Sequence, residues 1–361
     1  MYPRRPFQRA AGFHNVFNPS PLLLAVLVSL TLAACRDAPT APAEAEADAS
    51  LLAAAAGTWT RRADYPRQIW ETTSASITDP STQRTIVYVI GGGFRRFGGD
   101  GAITDAVKAY DVSADRWRSK APYPVRVRST NGAVELDGKI YVSGGFTRRR
   151  DEQRGVWRLE TLKSLYIYDP ATDKWSRGRD MPITSVNGVS AAYNGMLYVA
   201  TGCYDTAVCG EQFDRGALWR YNPRTDRWVM LDRIPHDPWD GGGGFIGGKF
   251  YVVEFLGAVD VYDVATNSWS TGPQRPLRAC APLSATLQAK LYLVGCHDDF
   301  DDSGDYPMLV LDPAERAWSE AAAPPAPADH HWTLSRIVVD GRAGLQLAGG
   351  QAPGNNWQFV P

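Results

Sequence analysis

The sequence predicts an all-β fold built from one repeated unit. The chain of 361 residues contains 34 Gly, 25 Pro and 12 Trp. So many turn-forming and large aromatic residues indicate many short strands rather than a helical bundle. Six of the tryptophans recur at intervals of 58, 58, 53, 41 and 49 residues, which indicates internal repetition. They are Trp59, Trp117, Trp175, Trp228, Trp269 and Trp318.

Each repeat carries four strand segments in the same order. The first strand runs into a tight turn such as Asp137-Gly138 or Asn194-Gly195, whose residue types tolerate a positive φ. The second ends in glycines, as at Gly91-Gly92 and Gly144-Gly145. The third carries an aromatic residue followed by Asp or Asn, and the fourth carries the tryptophan. Four strands in about 50 residues predict one blade of a β-propeller, and paired glycines suit its crowded axis.

The two ends of the repeat region complete each other. The last repeat supplies three strands, the final one at 357–360, and the chain then stops. Residues 57–60 carry Trp59 with no blade of their own in front of it. We therefore expect the N-terminal strand to become the outer strand of the C-terminal blade. This arrangement predicts a closed ring of six blades without unpaired sheet edges.

The repeated pattern resembles the kelch repeat. The resemblance covers residues 57–361, although the glycine pairs are degenerate in the fourth and fifth repeats. It implies a six-bladed kelch-type β-propeller, in which ligands bind at one face or in the central channel.

The amino terminus is typical of an exported protein. Residues 1–34 combine three arginines, no acidic residue and the apolar segment 22–32, which is too short to cross a bilayer that needs about 20 residues. Leu32-Ala33-Ala34-Cys35 resembles the bacterial lipobox, which implies a signal peptide over 1–34 and lipidation at Cys35. Residues 35–56 are rich in Ala, Pro and Glu and predict a flexible tether before the propeller at 57–361. Because Arg36 rather than aspartate follows Cys35, we expect an outer-membrane lipoprotein of a bacterial envelope.

The charge balance excludes a nucleic-acid-binding surface. The chain has 38 basic and 39 acidic residues, with no basic stripe of the kind that neutralises phosphates. We expect a monomer that contacts the membrane only through its lipid anchor.

Four further cysteines favour disulfides, because an exported chain folds in an oxidising compartment. Cys203 and Cys209 bound one short loop, and Cys280 and Cys296 flank one hairpin. Two disulfides within blades are the first interpretation, with free or metal-bound thiols as the alternative. The spacing does not match a zinc site.

The blade-to-blade loops lie beside the first strand of each blade, the strand nearest the axis. They bring aromatic rings next to charged groups, as a site for a sugar or an acidic sugar requires. Hydrogen bonding between blades without any ligand is the alternative. The candidate ligand-binding residues are Trp70, Glu71, Arg126, Arg128, His236, Trp239, Asp240, Arg278, His331 and Trp332.

The long loops at 94–106, 147–164 and 204–217 lie on the same predicted face. The second contains the run Arg148-Arg149-Arg150 and Trp157. We expect mainly solvated loops here.

Two further segments carry weaker signals. Glu254 stands where other repeats have glycine, so its carboxylate could reach the channel mouth and transfer protons if the protein is an enzyme. Asp299, Asp301 and Ser303 open like a calcium loop, but Val310 occupies the twelfth position. A solvated acidic loop is the first interpretation of that segment and calcium the second; no other cofactor is expected.

Three functions follow from these observations. The first is a binding or interaction module for a glycan or an envelope protein. The second is a carbohydrate-active enzyme, since six-bladed kelch-like proteins include bacterial sialic-acid epimerases (mutarotases). The third is a copper enzyme resembling galactose oxidase, which needs two His and two Tyr with a Tyr–Cys crosslink on a seven-bladed ring. With four histidines in the mature chain and cysteines predicted to pair, this third function is the least favoured.

Overall fold

A computed structural model describes residues 57–94, 103–202, 216–276, 282–295, 308–325, 332–350 and 355–361. The regular elements of these residues are strands. In chain order they are β1 (Thr58–Arg61), β2 (Thr73–Thr78), β3 (Thr85–Ile90), β4 (Val107–Asp111), β5 (Arg116–Lys120), β6 (Ala133–Leu136), β7 (Lys139–Ser143), β8 (Phe146–Asp151), β9 (Val156–Thr161), β10 (Leu165–Asp169), β11 (Lys174–Gly178), β12 (Val189–Tyr193), β13 (Met196–Ala200), β14 (Ala217–Asn222), β15 (Arg227–Arg233), β16 (Gly242–Ile246), β17 (Lys249–Val253), β18 (Val259–Asp263), β19 (Ser268–Thr271), β20 (Leu283–Leu287), β21 (Lys290–Val294), β22 (Met308–Asp312), β23 (Ala317–Ala321), β24 (Thr333–Val339), β25 (Arg342–Gly349) and β26 (Asn355–Val360).

These strands form six antiparallel four-stranded sheets, which confirms the predicted all-β six-bladed propeller. Blades 1 to 5 are β2–β5, β6-β7-β10-β11, β12–β15, β16–β19 and β20–β23, and blade 6 is β24-β25-β26-β1. The first strands of successive blades, β2, β6, β12, β16, β20 and β24, contact one another around the axis, and β24 contacts β2 again. None of the described residues belongs to a helix that is long and apolar enough to span a membrane.

The N-terminal strand closes the ring, as the sequence predicts. β1 pairs antiparallel with β26, with Thr58 opposite Val360 and Arg61 opposite Trp357. Blade 6 therefore joins both ends of the repeat region, and this pairing covers the outer edge of β26.

The recurring tryptophans join neighbouring blades through their indole N–H groups. Nε1 of Trp175 donates to the carbonyl oxygen of Ala121 at 3.0 Å, at the end of the preceding blade. The same bond is made by Trp59, Trp117, Trp228 and Trp318. In blade 4, by contrast, Nε1 of Trp269 is buried without a hydrogen-bond partner among the described residues.

The tyrosine of each aromatic–Asp pair also has a fixed partner. Tyr168 donates its hydroxyl to Asp173 at 2.5 Å, and the same carboxylate accepts the backbone N–H of Ala121 at 3.0 Å. The equivalent tyrosine bonds in other blades are Tyr110 to Asp115, Tyr221 to Asp226 and Tyr262 to Asn267. The residues that recur in the sequence therefore make recurring contacts, and several of these contacts join neighbouring blades.

The glycine at the end of the second strand is required by space as well as by φ. A Cβ on Gly144 would lie 2.2 Å from the carbonyl oxygen of Ser185, in the loop leading to blade 3. Gly144 also has a φ of +66°. Backbones of neighbouring blades approach too closely here for any side chain.

The segment at 147–164, expected to be a mainly solvated loop, is largely exposed and contains a regular hairpin. Its strands β8 and β9 form a two-stranded hairpin on top of blade 2, from Phe146 paired with Thr161 to Asp151 paired with Val156. Oδ1 of Asp151 accepts the N–H groups of Gln153 and Arg154, which closes the turn locally.

Candidate functional site

Four left-handed residues line the mouth of the central channel along blades 1 to 4. Glu71, Ser129, Asn187 and Asp240 precede the first strands of blades 1 to 4, and their φ values lie between +48° and +54°. The N–H groups of the last three donate to the carbonyl of the one before: Ser129 to Glu71 at 3.1 Å, Asn187 to Ser129 at 3.1 Å, and Asp240 to Asn187 at 3.0 Å. The backbone therefore fixes these four residues around one opening.

A cavity of about 560 Å³ occupies this mouth, and residues of all six blades line it. The first residues of the inner strands and their preceding loops supply mostly hydroxyl and amide groups. The polar lining residues include Thr72, Thr73, Ser74, Ser129, Thr130, Asn131, Asn187, Ser190, Ser284 and Thr333. The Oγ1 of Thr72 and the Oγ of Ser190 are buried with no hydrogen-bond partner among the described residues.

One wall of the cavity carries an ion pair. Nη1 of Arg128 lies 3.2 Å from Oε1 of Glu71, and both side chains are about one-fifth exposed, at 22% and 20%. Oε2 of Glu71 accepts a hydrogen bond from the hydroxyl of Ser129 at 2.6 Å. The carboxylate is thus held on two sides, and this wall offers both signs of charge to a ligand.

The opposite wall carries Asp240, which is partly buried. Burial, with the negative charge of Glu71 adding to it, raises the pKa of the Asp240 carboxyl to about 7. Trp239 precedes it and packs on Phe255, with ring centroids 5.3 Å apart. Trp332 from blade 6 also borders the cavity. Trp332 is only 3% exposed and packs in the hydrophobic core, so the mouth offers the partly exposed Trp239, an ion pair and a carboxyl group that changes charge near neutral pH.

Five of the sequence-predicted ligand-binding residues meet at this cavity: Glu71, Arg128, Trp239, Asp240 and Trp332. Three others lie elsewhere. The ring of Trp70 is buried in the blade, Arg126 is exposed, and His236 is half-exposed away from the cavity lining. Arg278 and His331 lie outside the described residues.

His236 has a structural partner in blade 4. Its Nδ1 lies 3.0 Å from Oδ1 of Asp260, and its backbone N–H donates to Oδ2 at 3.0 Å. Burial raises the pKa of Asp260, although the hydrogen bonds from His236 act in the opposite direction. These contacts hold the start of the loop that carries Trp239 and Asp240.

The carboxylate of Glu254 caps the turn that follows its own strand. Its oxygens accept the N–H groups of Leu256 and Ala258, both at 2.8 Å. Glu254 is not among the residues that line the channel-mouth cavity. Its position therefore gives it a local structural contact rather than access to a ligand in the cavity.

The hydroxyl residues of the inner strands were not among the ligand-binding residues predicted from the sequence. A signal for their position was present, because residues 71, 129, 187 and 240 are spaced by 58, 58 and 53, the same intervals as the first tryptophans. Side chains that differ between repeats at one fixed position are candidates for ligand contact, since the fold does not require any one of them.

Several predicted sites lie outside the described residues. They are residues 1–56 with Cys35, the four cysteines Cys203, Cys209, Cys280 and Cys296, and the calcium candidates Asp299, Asp301 and Ser303. Within the described part of the chain, no three His, Cys, Asp or Glu residues are grouped to hold a metal ion.

Comparisons with known proteins agree with the repeat pattern. A family model described as "Kelch motif" matches residues 128–182. Kelch-like protein terF of Aspergillus terreus is 29% identical over 280 residues, covering 73% of this chain and 58% of that protein. A putative F-box/kelch-repeat protein of Arabidopsis thaliana is 27% identical over 222 residues, covering 60% of each. This chain thus spans less than two thirds of the length of these relatives.

A solved structure shows the same fold. The structure of YjhT superposes with a TM-score of 0.60 at 16% sequence identity, covering 82% of this chain and 95% of that one. With the six blades and the recurrent contacts described above, these findings show that the chain is a kelch-repeat β-propeller.

Proposed function

We propose that this kelch-repeat propeller is an interaction module that binds a protein partner at its channel mouth. The observation that carries this proposal is the polar cavity of about 560 Å³, which all six blades line. Backbone hydrogen bonds hold its rim, so binding would cost little ordering of the protein. The partly exposed indole of Trp239 at its border suits an aromatic contact of a protein interface.

The test compares two charge-neutralising variants of the full chain. Arg128→Gln removes the cation of the mouth, whereas Lys139→Gln removes a cation at the start of β7 that lies 3.4 Å from Asp169 and outside the cavity lining. Proteins of the bacterial envelope are cross-linked to each variant and identified by mass spectrometry. We expect a partner captured by the wild type and Lys139→Gln to be lost with Arg128→Gln. Equal capture by all three would refute the channel mouth as the binding site.

A glycan is the second ligand of this proposal, because the indole of Trp239 and the ion pair of the mouth also suit a sugar. Titration with neutral and acidic sugars, followed by heat and by anomeric NMR signals, separates the functions. Binding without anomer exchange supports a glycan-binding module, and binding with faster exchange supports an epimerase. The turn-capping role of Glu254 favours binding over catalysis, because the enzyme hypothesis uses that carboxylate as its proton-transfer group.

We also propose that the module is displayed on the bacterial envelope as an outer-membrane lipoprotein. The support is the sequence Leu32-Ala33-Ala34-Cys35 after an apolar segment, followed by the Ala/Pro/Glu-rich residues 35–56. Cys35→Ala removes the acyl acceptor, so the protein is expected to leave the membrane fraction. Membrane retention of this variant would contradict lipid anchoring.

A further inference from the structure

The two carboxyl groups of the channel mouth differ in their partners. Glu71 lies 3.2 Å from Nη1 of Arg128 and accepts the hydroxyl of Ser129 at 2.6 Å. The side chain of Asp240 also lines the cavity, but it makes no hydrogen bond or ion pair to the described residues. The charge of Glu71 is therefore balanced within the protein, whereas the carboxyl of Asp240 lacks a counter-ion among the described residues.

The two acids stand across the mouth from each other. Glu71 precedes β2 of blade 1 and Asp240 precedes β16 of blade 4, so two blades lie between them on either side of the ring. Arg128 precedes blade 2 and belongs to the wall of Glu71. The described residues that line the cavity include these two acids and this one cation. When Asp240 is ionised, the cavity therefore has an excess of negative charge on the wall away from Arg128.

Backbone contacts on both sides of Asp240 hold its loop in place. The N–H of Asp240 donates to the carbonyl of Asn187 at 3.0 Å, and the N–H of Gly241 donates to the carbonyl of Pro238 at 2.9 Å. A Cβ on Gly241 would lie 2.6 Å from the carbonyl oxygen of Val253, so the loop packs closely against the end of β17. The carboxyl is thus held at the cavity before a ligand arrives, and its backbone needs little further ordering on binding.

Neutral oxygen acceptors line the same cavity. The side-chain amide of Asn187 makes no hydrogen bond to the described residues, and neither does the hydroxyl of Ser190. An ammonium or guanidinium group carries several N–H donors and requires several acceptors when it leaves water. Burial penalises the ionised form of Asp240, and a cation placed beside it offsets that penalty. The chemistry of this wall therefore fits an organic cation rather than an anion.

We propose that Asp240 binds a basic side chain, a lysine or an arginine, that the protein partner inserts into the channel mouth. The inference rests on the proposed interaction function and names the chemistry of the partner at this position. The carboxylate of Asp240 supplies the charge, and the side chains of Asn187 and Ser190 accept further N–H groups of the cation. Because the cation pairs with the ionised carboxyl, a protonated Asp240 releases its proton to the solvent when the partner binds.

The test selects random 12-residue displayed peptides on the immobilised full chain at pH 8 and then measures affinities on matched variants. Asp240→Asn removes the charge at the mouth, and Asp232→Asn makes the same change at an exposed position of β15 outside the cavity lining. We expect the selected peptides to be enriched in Lys and Arg. Their binding should fall about tenfold or more with Asp240→Asn, or when norleucine replaces the basic residue, and less than about twofold with Asp232→Asn.

The pH dependence of binding is a second measurement. Burial, with the charge of Glu71 adding to it, raises the pKa of Asp240 to about 7. The affinity of the wild type for basic peptides should therefore fall about tenfold between pH 8 and pH 5.5, as the carboxyl becomes protonated, and Asp240→Asn should remove this dependence. The described charged groups on the opposite wall, on the same loop and on the elements packed against it are Glu71, Arg128, His236, Asp237, Glu254 and Asp260.

Four outcomes would overturn the inference. They are selected peptides without Lys or Arg, equal losses with Asp232→Asn and Asp240→Asn, a pH dependence that persists in Asp240→Asn, and Asp240-dependent binding of spermidine while no basic peptide is selected. In the last case the ligand would be a free polyamine rather than a protein. Arg128→Gln leaves Asp240 in place, so basic peptides should bind it at least as well as the wild type, whereas the proposed function predicts that it loses the captured envelope protein. The two proposals can thus fail separately.

Discussion

The indole bond between blades leads to a quantitative prediction, because the chain contains its own control. Trp175→Phe removes the hydrogen bond from Nε1 to the carbonyl of Ala121, whereas Trp269→Phe removes an indole that has no such bond among the described residues. The two sites share their main ring contact, although Trp175 also packs edge-on against Tyr123, with ring centroids 4.9 Å apart. Each tryptophan is partly buried, and each packs on the tyrosine of its own blade, with ring centroids 5.0 Å apart for Trp175 and 5.1 Å for Trp269.

The expected difference follows from this match. Both substitutions remove the same indole atoms and keep an aromatic ring at the site, so most of the packing loss cancels when their free energies of unfolding are compared. Trp175→Phe additionally loses one neutral hydrogen bond, worth about 1 kcal/mol net, and leaves the carbonyl of Ala121 without its indole donor. Trp269→Phe removes an unpaired buried donor, which costs nothing further. Trp175→Phe should therefore be the less stable variant by at least about 1 kcal/mol.

Urea unfolding followed by tryptophan fluorescence and far-UV circular dichroism measures this difference. In thermal unfolding, followed by the same signals, the melting temperature of Trp175→Phe should lie about 2 °C below that of Trp269→Phe. Equal stability, or a less stable Trp269→Phe, would refute the assignment of the repeated tryptophan as a bond between blades. The repeat would then reflect apolar packing alone.

Three further predictions concern the axis, the mouth and the turn after β17. Gly144→Ala should destabilise the protein by about 2 kcal/mol more than Gly138→Ala, as thermal unfolding can measure, because both have positive φ but only Gly144 places a Cβ against a neighbouring carbonyl. The pKa of Asp240 is raised to about 7 from an unfolded value near 4, so the stability that its protonated carboxyl contributes is present below about pH 4 and is lost as the pH rises through 7. The urea midpoint of Asp240→Asn should therefore exceed that of the wild type more at pH 8 than at pH 5. A gap that does not change with pH would contradict this. Glu254→Gln should leave affinity at the channel mouth within about twofold and lower stability by about 1 kcal/mol, and a loss of binding with unchanged stability would contradict its role in the turn.

The ring itself was predictable from the sequence because its contacts repeat. Trp175 and Tyr168 make the same bonds as their counterparts in other blades, so selection for the contact left a period in the sequence. Closure by β1 was predictable for the same reason, since Trp59 carried the signal of a fourth strand without a blade. Physical contacts that recur give a pattern that one sequence can reveal.

The candidate site was predictable in part, because its residues do not repeat. Position in the repeat suggested Trp70, His236 and Glu254 as site residues, but their contacts inside blades and turns direct them away from the cavity. The hydroxyls of Thr72 and Ser190 were missed because such residues are common on any strand. Whether a side chain points into the mouth depends on the conformation of the blade-to-blade loop that carries it. The residue types of these loops do not repeat, so the sequence gives no pattern for that conformation.

The four left-handed residues at the mouth show that the backbone and the side chains of this fold can vary independently. Glu71, Ser129, Asn187 and Asp240 have nearly the same φ and the same backbone hydrogen bonds, yet they present an acid, a hydroxyl, an amide and a second acid to one cavity. Because the backbone bonds hold the rim, its side chains can change without altering the blades. The same argument applies to the hairpin on blade 2, which is joined to the rim by two backbone bonds and carries Arg150 and Trp157 on one side and Arg149 and Arg158 on the other. The repeat therefore determines where these polar residues lie around the mouth, but it does not determine which residue type stands at each position.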